Sequence, residues 1–146
     1  GFAIVYEPEV RDLALVNTGD QAAIEVQFQN PVFANSRYAV EGGPLLVQNG
    51  QAAFNPEQEQ FDRTTRILDQ YTQQAAIGLK ADGAVLMVTA DNMVAADMVN
   101  LMLSLGAYSA MRLDSGSSTS LYVDGKIINK TTPERKVVTA IIFVPY

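Results

Sequence analysis

Residues 84–113 read AVLMVTADNMVAADMVNLMLSLGAYSAMRL, an apolar run, an amphipathic stretch and a second apolar run. In the middle, Val94, Met98, Leu101, Met102 and Leu105 recur at spacings of 4, 7, 8 and 11, which marks one face of a helix over Met93–Leu105. Asp91 or Asn92 suits its N-cap, and Gly106 its C-terminal stop. The methionines read as core filling. The flanking runs AVLMVTA and YSAMRL read as buried strands. Strand, helix, strand with short connections is a βαβ unit, so the two strands are expected to run parallel. Parallel strands end on the same edge of a sheet, where ligand sites are often built. Asp91 follows the first strand and Asp114 the second, so both are expected at one edge.

Working outward, LLVQNGQAAF, IGLKADGAVLMV and SLYVDGKIIN each place Asn-Gly or Asp-Gly between apolar runs, a hairpin signature. Phe2–Tyr6, Leu13–Val16 and the alternating Ala22–Phe28 read as further strands. Residues 55–73, polar and rich in Gln, read as a long loop with at most a helical turn. The expected fold class is α+β: a mixed β-sheet with hairpins and one βαβ unit, the helix packed on the sheet. At 146 residues the chain suits a single domain over 1–146.

Composition removes several kinds of chemistry. The net charge of −6 argues against nucleic acid as a partner, because the phosphate backbone demands clustered Lys and Arg. With no Cys and no His, disulfides, thiolates, His bases and Ser-His-Asp triads are all excluded. Any acid or base must be Asp, Glu, Lys or Tyr, and any bound metal must be a hard, oxygen-ligated cation. No metal ligand set and no cofactor motif stands out. No apolar run reaches the 18 residues of a membrane span.

Three segments can carry chemistry. In LDSGSSTSL, residues 113–121, Asp114 precedes a run of small residues. Gly116, Ser117 and Ser118 can approach an anion closely and offer hydroxyl donors; a Ser-rich turn between strands fits equally. Glu41-Gly42-Gly43-Pro44 marks an unusual backbone path, either a plain turn or a close approach by another group. Arg135, in Pro133-Glu134-Arg135-Lys136 ahead of an expected last strand, suits either a bidentate anion contact or a surface charge cluster.

Taken together these motifs resemble the phosphodiester glycosidase family, over roughly residues 38–144. The matching order is Gly-Gly-Pro then LLVQNG, AAIGLKADGAVLMVTADN, LMLSLGA, MRLDSGSSTSLYVDGKIIN, and PERKVV with a final strand. The resemblance implies a glycosidase-like domain, the C-terminal part of a longer parent, acting on a sugar phosphodiester or related envelope glycan. It implies an extracellular, periplasmic or cell-surface setting. It gives catalytic roles to Asp114 and Asp91, and substrate contacts to Gly42, Gly43, Gly116, Ser117, Ser118 and Arg135. The chain also departs from the family pattern: Asp91-Asn92 stands for an Asp-Gly pair, and an upstream Asn-Gly-rich segment is not visible. Ser115 and Ser117 replace two glycines of the loop, and Gln74-Ala75 replaces an Arg-Thr pair. The alternative expectation is a non-catalytic carbohydrate-binding or assembly module that keeps the fold, completed by a second chain.

Overall fold

A computed structural model describes residues 17–21, 23, 27, 30–61, 67–129, 136, 137 and 139–144. The strands expected at Phe2–Tyr6 and Leu13–Val16, most of Ala22–Phe28, and Arg135 lie outside the described residues. The chain divides into two compact units, Gly1–Ala39 and Val40–Tyr146. In the first, the short helix α1 (Pro31–Ala34) begins at Asn30, whose Oδ1 accepts a 3.0 Å bond from the Val32 amide, with proline in its first turn.

The second unit holds a five-stranded sheet and the helix α2 (Asp97–Ser104). Its strands are β1 (Leu45–Gln48), β2 (Gln51–Ala52), β3 (Thr72–Lys80), β4 (Val85–Met93) and β5 (Ala107–Arg112). They lie in the order β2-β1-β5-β3-β4, and every pairing is antiparallel. A two-stranded ribbon follows, β6 (Tyr122–Val123) with β7 (Lys126–Ile127). The class is α+β, as expected. The strands flanking α2 do run parallel, because both are antiparallel to β3, but β3 lies between them. The βαβ unit is therefore a split one.

All three expected hairpins form. Asn49 and Gly50 (φ 53° and 72°) close β1–β2, and Asp124 and Gly125 (φ 48° and 83°) close β6–β7. Between β3 and β4, Gly83 (φ 88°) donates to the Lys80 carbonyl. These are the positive φ values that Asn, Asp and Gly tolerate.

The helix starts later than its periodicity suggested. Asp91 and Asn92 belong to β4, where residues 90 and 93 pair with Gln74 and Thr72 across a bulge, and Asn92 takes φ 55°. Sheet pairing thus outcompetes helix propensity there. Asp97 lies in the first turn and its carboxylate accepts from the Val94 amide at 3.4 Å. Gly106 (φ 82°) ends the helix as expected. Strand β4 is also half-exposed rather than buried, since it forms the sheet's outer edge. Residues 136, 137 and 139–144, the described part of the segment where a last strand was expected, are not in a strand; Ile142 and Val144 are 76% and 75% exposed.

Alternation along β3 decides where α2 sits. Gln74, Ala76 and Gly78 face the helix, and so do Ala110 on β5 and Leu86, Val88 and Ala90 on β4. These central positions are small, so Met98 and Met102, both fully buried, reach the sheet floor with Leu46 and Val47. Gly78 has no room for a side chain. A Cβ there would lie 2.8 Å from Met102 Cε and 2.9 Å from the Ser109 carbonyl oxygen. The opposite face carries Ile77, Leu79, Val85 and Met87, of which the last three are 47%, 40% and 45% exposed.

Candidate active site at the end of β5

Strands β4 and β5 end on the same edge, with the start of β3 between them. Gln74 joins all three. Its Oε1 accepts 2.8 Å from Arg112 Nε on β5, and its Nε2 donates 3.0 Å to the Met93 carbonyl at the end of β4. Both side chains are buried, Gln74 fully and Arg112 to 5% exposure. Burial pulls the Arg112 guanidinium below its ordinary value, and Asp114 pushes it back up. It stays charged at neutral pH. Gln74 occupies the position where the family resemblance puts arginine, and here its side chain accepts from an arginine on the adjacent strand.

Beyond Arg112 the chain is tied down bond by bond. Leu113 donates to the Ala75 carbonyl at 2.8 Å, extending the β3–β5 ladder. Asp114 is exposed, and its Oδ1 accepts 2.9 Å from the Ser115 amide. Ser115 Oγ donates to the Leu113 carbonyl (3.0 Å) and accepts from the Ala75 amide (3.2 Å). A single 3₁₀ turn, Gly116–Ser118, follows. Buried Thr119 then fixes the return path, with its amide on the Gly116 carbonyl and its Oγ1 on the Gln73 carbonyl at 3.4 Å. Asn129 closes the base, accepting 2.6 Å from the Leu121 amide and donating to the Thr119 carbonyl and to Gln73 Oε1.

The two serines standing for glycines cost the loop no backbone strain. Ser115 is extended (φ −131°, ψ −174°), and only Gly116, at φ 68°, takes the left-handed region. Ser115 even gains two bonds that glycine could not make.

Gly42 and Gly43 join the same edge. The Gly43 amide donates 2.7 Å to the Arg112 carbonyl, and the Arg112 amide donates 3.1 Å to the Pro44 carbonyl. A Cβ on Gly42 would lie 2.9 Å from the Arg112 carbonyl oxygen, and one on Gly43 2.7 Å from Phe61 Cζ. The close approach expected at this pair is thus made by the protein itself. Asp91 is exposed in the β4 bulge, separated from β5 by β3 and three residues beyond Val88, the β4 residue level with Arg112. A cleft of about 490 Å³ lies elsewhere, lined by Leu45, Gln48, Ala53, Asn55, Gln58 and Glu59. Among the described residues no three Asp or Glu side chains group to hold a metal ion.

Arg112 was not among the residues marked from the sequence. Its signal was there to read: a lone charge inside the otherwise apolar strand YSAMRL, two residues before Asp114.

A split βαβ sheet carrying a carboxylate and a small-residue turn beyond one strand end defines an α+β domain with a polar site on one sheet edge. The chain belongs to the phosphodiester glycosidase family, which it matches over residues 3–144. It is 39% identical over 72 residues to the SPbeta prophage-derived uncharacterized protein YomE of Bacillus subtilis (strain 168), covering 43% of this chain and 11% of that protein. A crystal structure of a hypothetical protein from Synechocystis superposes with a TM-score of 0.55 at 27% identity, over 61% of this chain and 17% of that one. The zebrafish N-acetylglucosamine-1-phosphodiester alpha-N-acetylglucosaminidase catalytic domain, auto-inhibited by its pro-peptide, superposes with a TM-score of 0.56. Its 17% identity, over 64% of this chain and 34% of that one, speaks for the fold alone. The chain spans about a tenth of the length of the curated relative.

Proposed function

We propose that this domain hydrolyses a sugar phosphodiester at the edge beyond β5, in an extracellular, periplasmic or cell-surface setting. The observation that carries the reading is the placement of exposed Asp114 between the buried Arg112 guanidinium and the Gly116–Ser118 turn. Water displaces the phosphodiester from the anomeric carbon. The C–O bond breaks, the sugar leaves with a hydroxyl, and the phosphate leaves as a monoester. Asp114 serves as the acid/base or as the carboxylate that orients a sugar hydroxyl. Asp91, across one intervening strand, is the candidate second carboxylate of a glycosidase pair. Gly116, Ser117 and Ser118 are the candidate contacts to phosphate or sugar oxygens; the family resemblance adds Gly42, Gly43 and Arg135 as further substrate-binding candidates.

The test is hydrolysis of a chromogenic N-acetylglucosamine phosphodiester by the wild type and by Asp114→Asn. Loss of an acid/base lowers turnover by about 10²-fold or more. Turnover that survives the substitution intact removes Asp114 from the chemistry. The second reading, a glycan-binding or assembly module without catalysis, is favoured by the open apolar face at Leu79, Val85 and Met87. Saturable glycan binding without any turnover would select it.

A further inference from the structure

Strand β4 ends the sheet as a bare edge. Its nine residues pair with β3 on one side, and among the described residues no strand lies along the other. The direction of its free groups follows from the register. The Lys80 amide donates to the Ala84 carbonyl, so Gly78 with Leu86, and Ala76 with Val88, exchange bonds across the pair. Val85, Met87 and Thr89 therefore turn their N–H and C=O groups outward. Long edges of this kind are ordinarily blunted by Lys, by Pro or by shortness. At the sheet's other end β2 has only two residues. Strand β4 carries no Lys, Arg or Pro, and its bulge lies past the outward-facing stretch.

The chain also carries a segment that suits this edge. Residues 139–144, TAIIFV, are uncharged and rich in strand-forming side chains. They are in no strand, and none of the six has a backbone bond to another described residue. Ile142, Phe143 and Val144 are 76%, 52% and 75% exposed. Laid antiparallel along β4 with Ile142 opposite Met87, the segment matches it on both faces. Val144 meets Val85 and Ile142 meets Met87 on the open face, where those two β4 side chains are 40% and 45% exposed. Phe143 and Ile141 meet Leu86 and Val88 on the α2 side, where both are only partly buried. Lys136 then falls at the end of β4 that carries Asp91. Its own β4 does not hold the segment, which leaves the β4 of a second copy. We infer that two copies of this chain exchange residues 139–144, each adding them as a sixth strand to the β4 of the other. Each copy both gives and takes, so the contact closes on a two-fold axis and leaves neither edge open. Neither Asp114 nor Arg112 takes part, so the inference is independent of the catalytic reading.

The test is light scattering after size-exclusion chromatography of the full chain, in a dilution series from about 0.1 mM. The expected result is a dimer that dissociates on dilution. Met87→Lys puts a charge on the receiving edge, and Ile142→Asp puts one on the given strand. Each raises the dissociation constant by about tenfold or more, with the circular dichroism spectrum unchanged. Mixed in equal amounts, the two variants recover a dimer tighter than either forms alone. One contact of that dimer is intact, and in the other the two introduced charges are opposite and face each other. Ile142 is 76% exposed and can take the change without loss of the fold, so the test does not hang on Met87. A monomer at the highest concentration overturns the inference, whether the segment stays free or lies on its own β4. So does a dimer that Ile142→Asp leaves untouched, which would join β4 to β4 or use another face.

Discussion

Gln74→Leu tests whether the three-strand bridge organises this edge. The substitution keeps a side chain of similar bulk and removes both hydrogen bonds. The bond to the charged Arg112 Nε is worth about 1.5–3 kcal/mol, and the one to the Met93 carbonyl about 0.5–1.5 kcal/mol. Apolar burial by leucine returns about 1 kcal/mol. The net expectation is a loss of about 1–3.5 kcal/mol, a large share of a small domain's stability. Urea denaturation followed by far-UV circular dichroism reads this as a lower midpoint at unchanged slope. The informative comparison adds Arg112→Met. Alone it leaves Gln74 Oε1 without its donor in a buried site. Combined with Gln74→Leu it removes the buried charge and its acceptor together, which is often close to neutral. The double variant is therefore expected to be at least about 1 kcal/mol more stable than the sum of the singles predicts. Strict additivity, or a Gln74→Leu chain within about 0.5 kcal/mol of wild type, would refute the bridge as an energetic unit.

Gly78→Ala places a methyl against the Ser109 carbonyl and Met102 Cε, and overpacking of that kind costs about 1–3 kcal/mol, readable as a fall in thermal midpoint. Gly116→Ala meets only Thr72 Oγ1, at an ordinary contact distance of 3.5 Å, but must hold φ 68°, costing about 1–2 kcal/mol, whereas Ser115→Gly loses two hydrogen bonds without strain and is expected to loosen the loop, seen as faster amide exchange at Ala75.

The hairpins were legible because Asn-Gly and Asp-Gly act locally, and their φ values follow from the residues alone. Helix α2 was legible from Met98 and Met102. Its start was not, because the pairing of Thr72 with Met93 is a non-local fact that no periodicity at 91–96 contains. The parallel relation of β4 and β5 was readable, but not the insertion of β3 between them, since the crossover looks the same from either side. At the site, Asp114 and the small residues announced themselves by type. The pairing of Gln74 with Arg112 did not, because it depends on the β3–β5 register, which sets Ala76 opposite Arg112. Ser115 shows the same limit. Its sequence suggests lost flexibility, and its extended backbone shows a gained anchor.

The split crossover bears on the order of assembly. Strands β3 and β4 meet across a short turn, so that hairpin can close early, before any distant part of the chain is in place. The seam between β3 and β5 joins residues 38 and 40 positions apart, at Gln74–Arg112 and Ala75–Ser115, and α2 must be accommodated before it zips. Late closure concentrates the fluctuations of the native domain along the line where a ligand would sit. An anion gripping Arg112 would act as a latch on that seam, and ligand concentration would then set how long the domain stays shut.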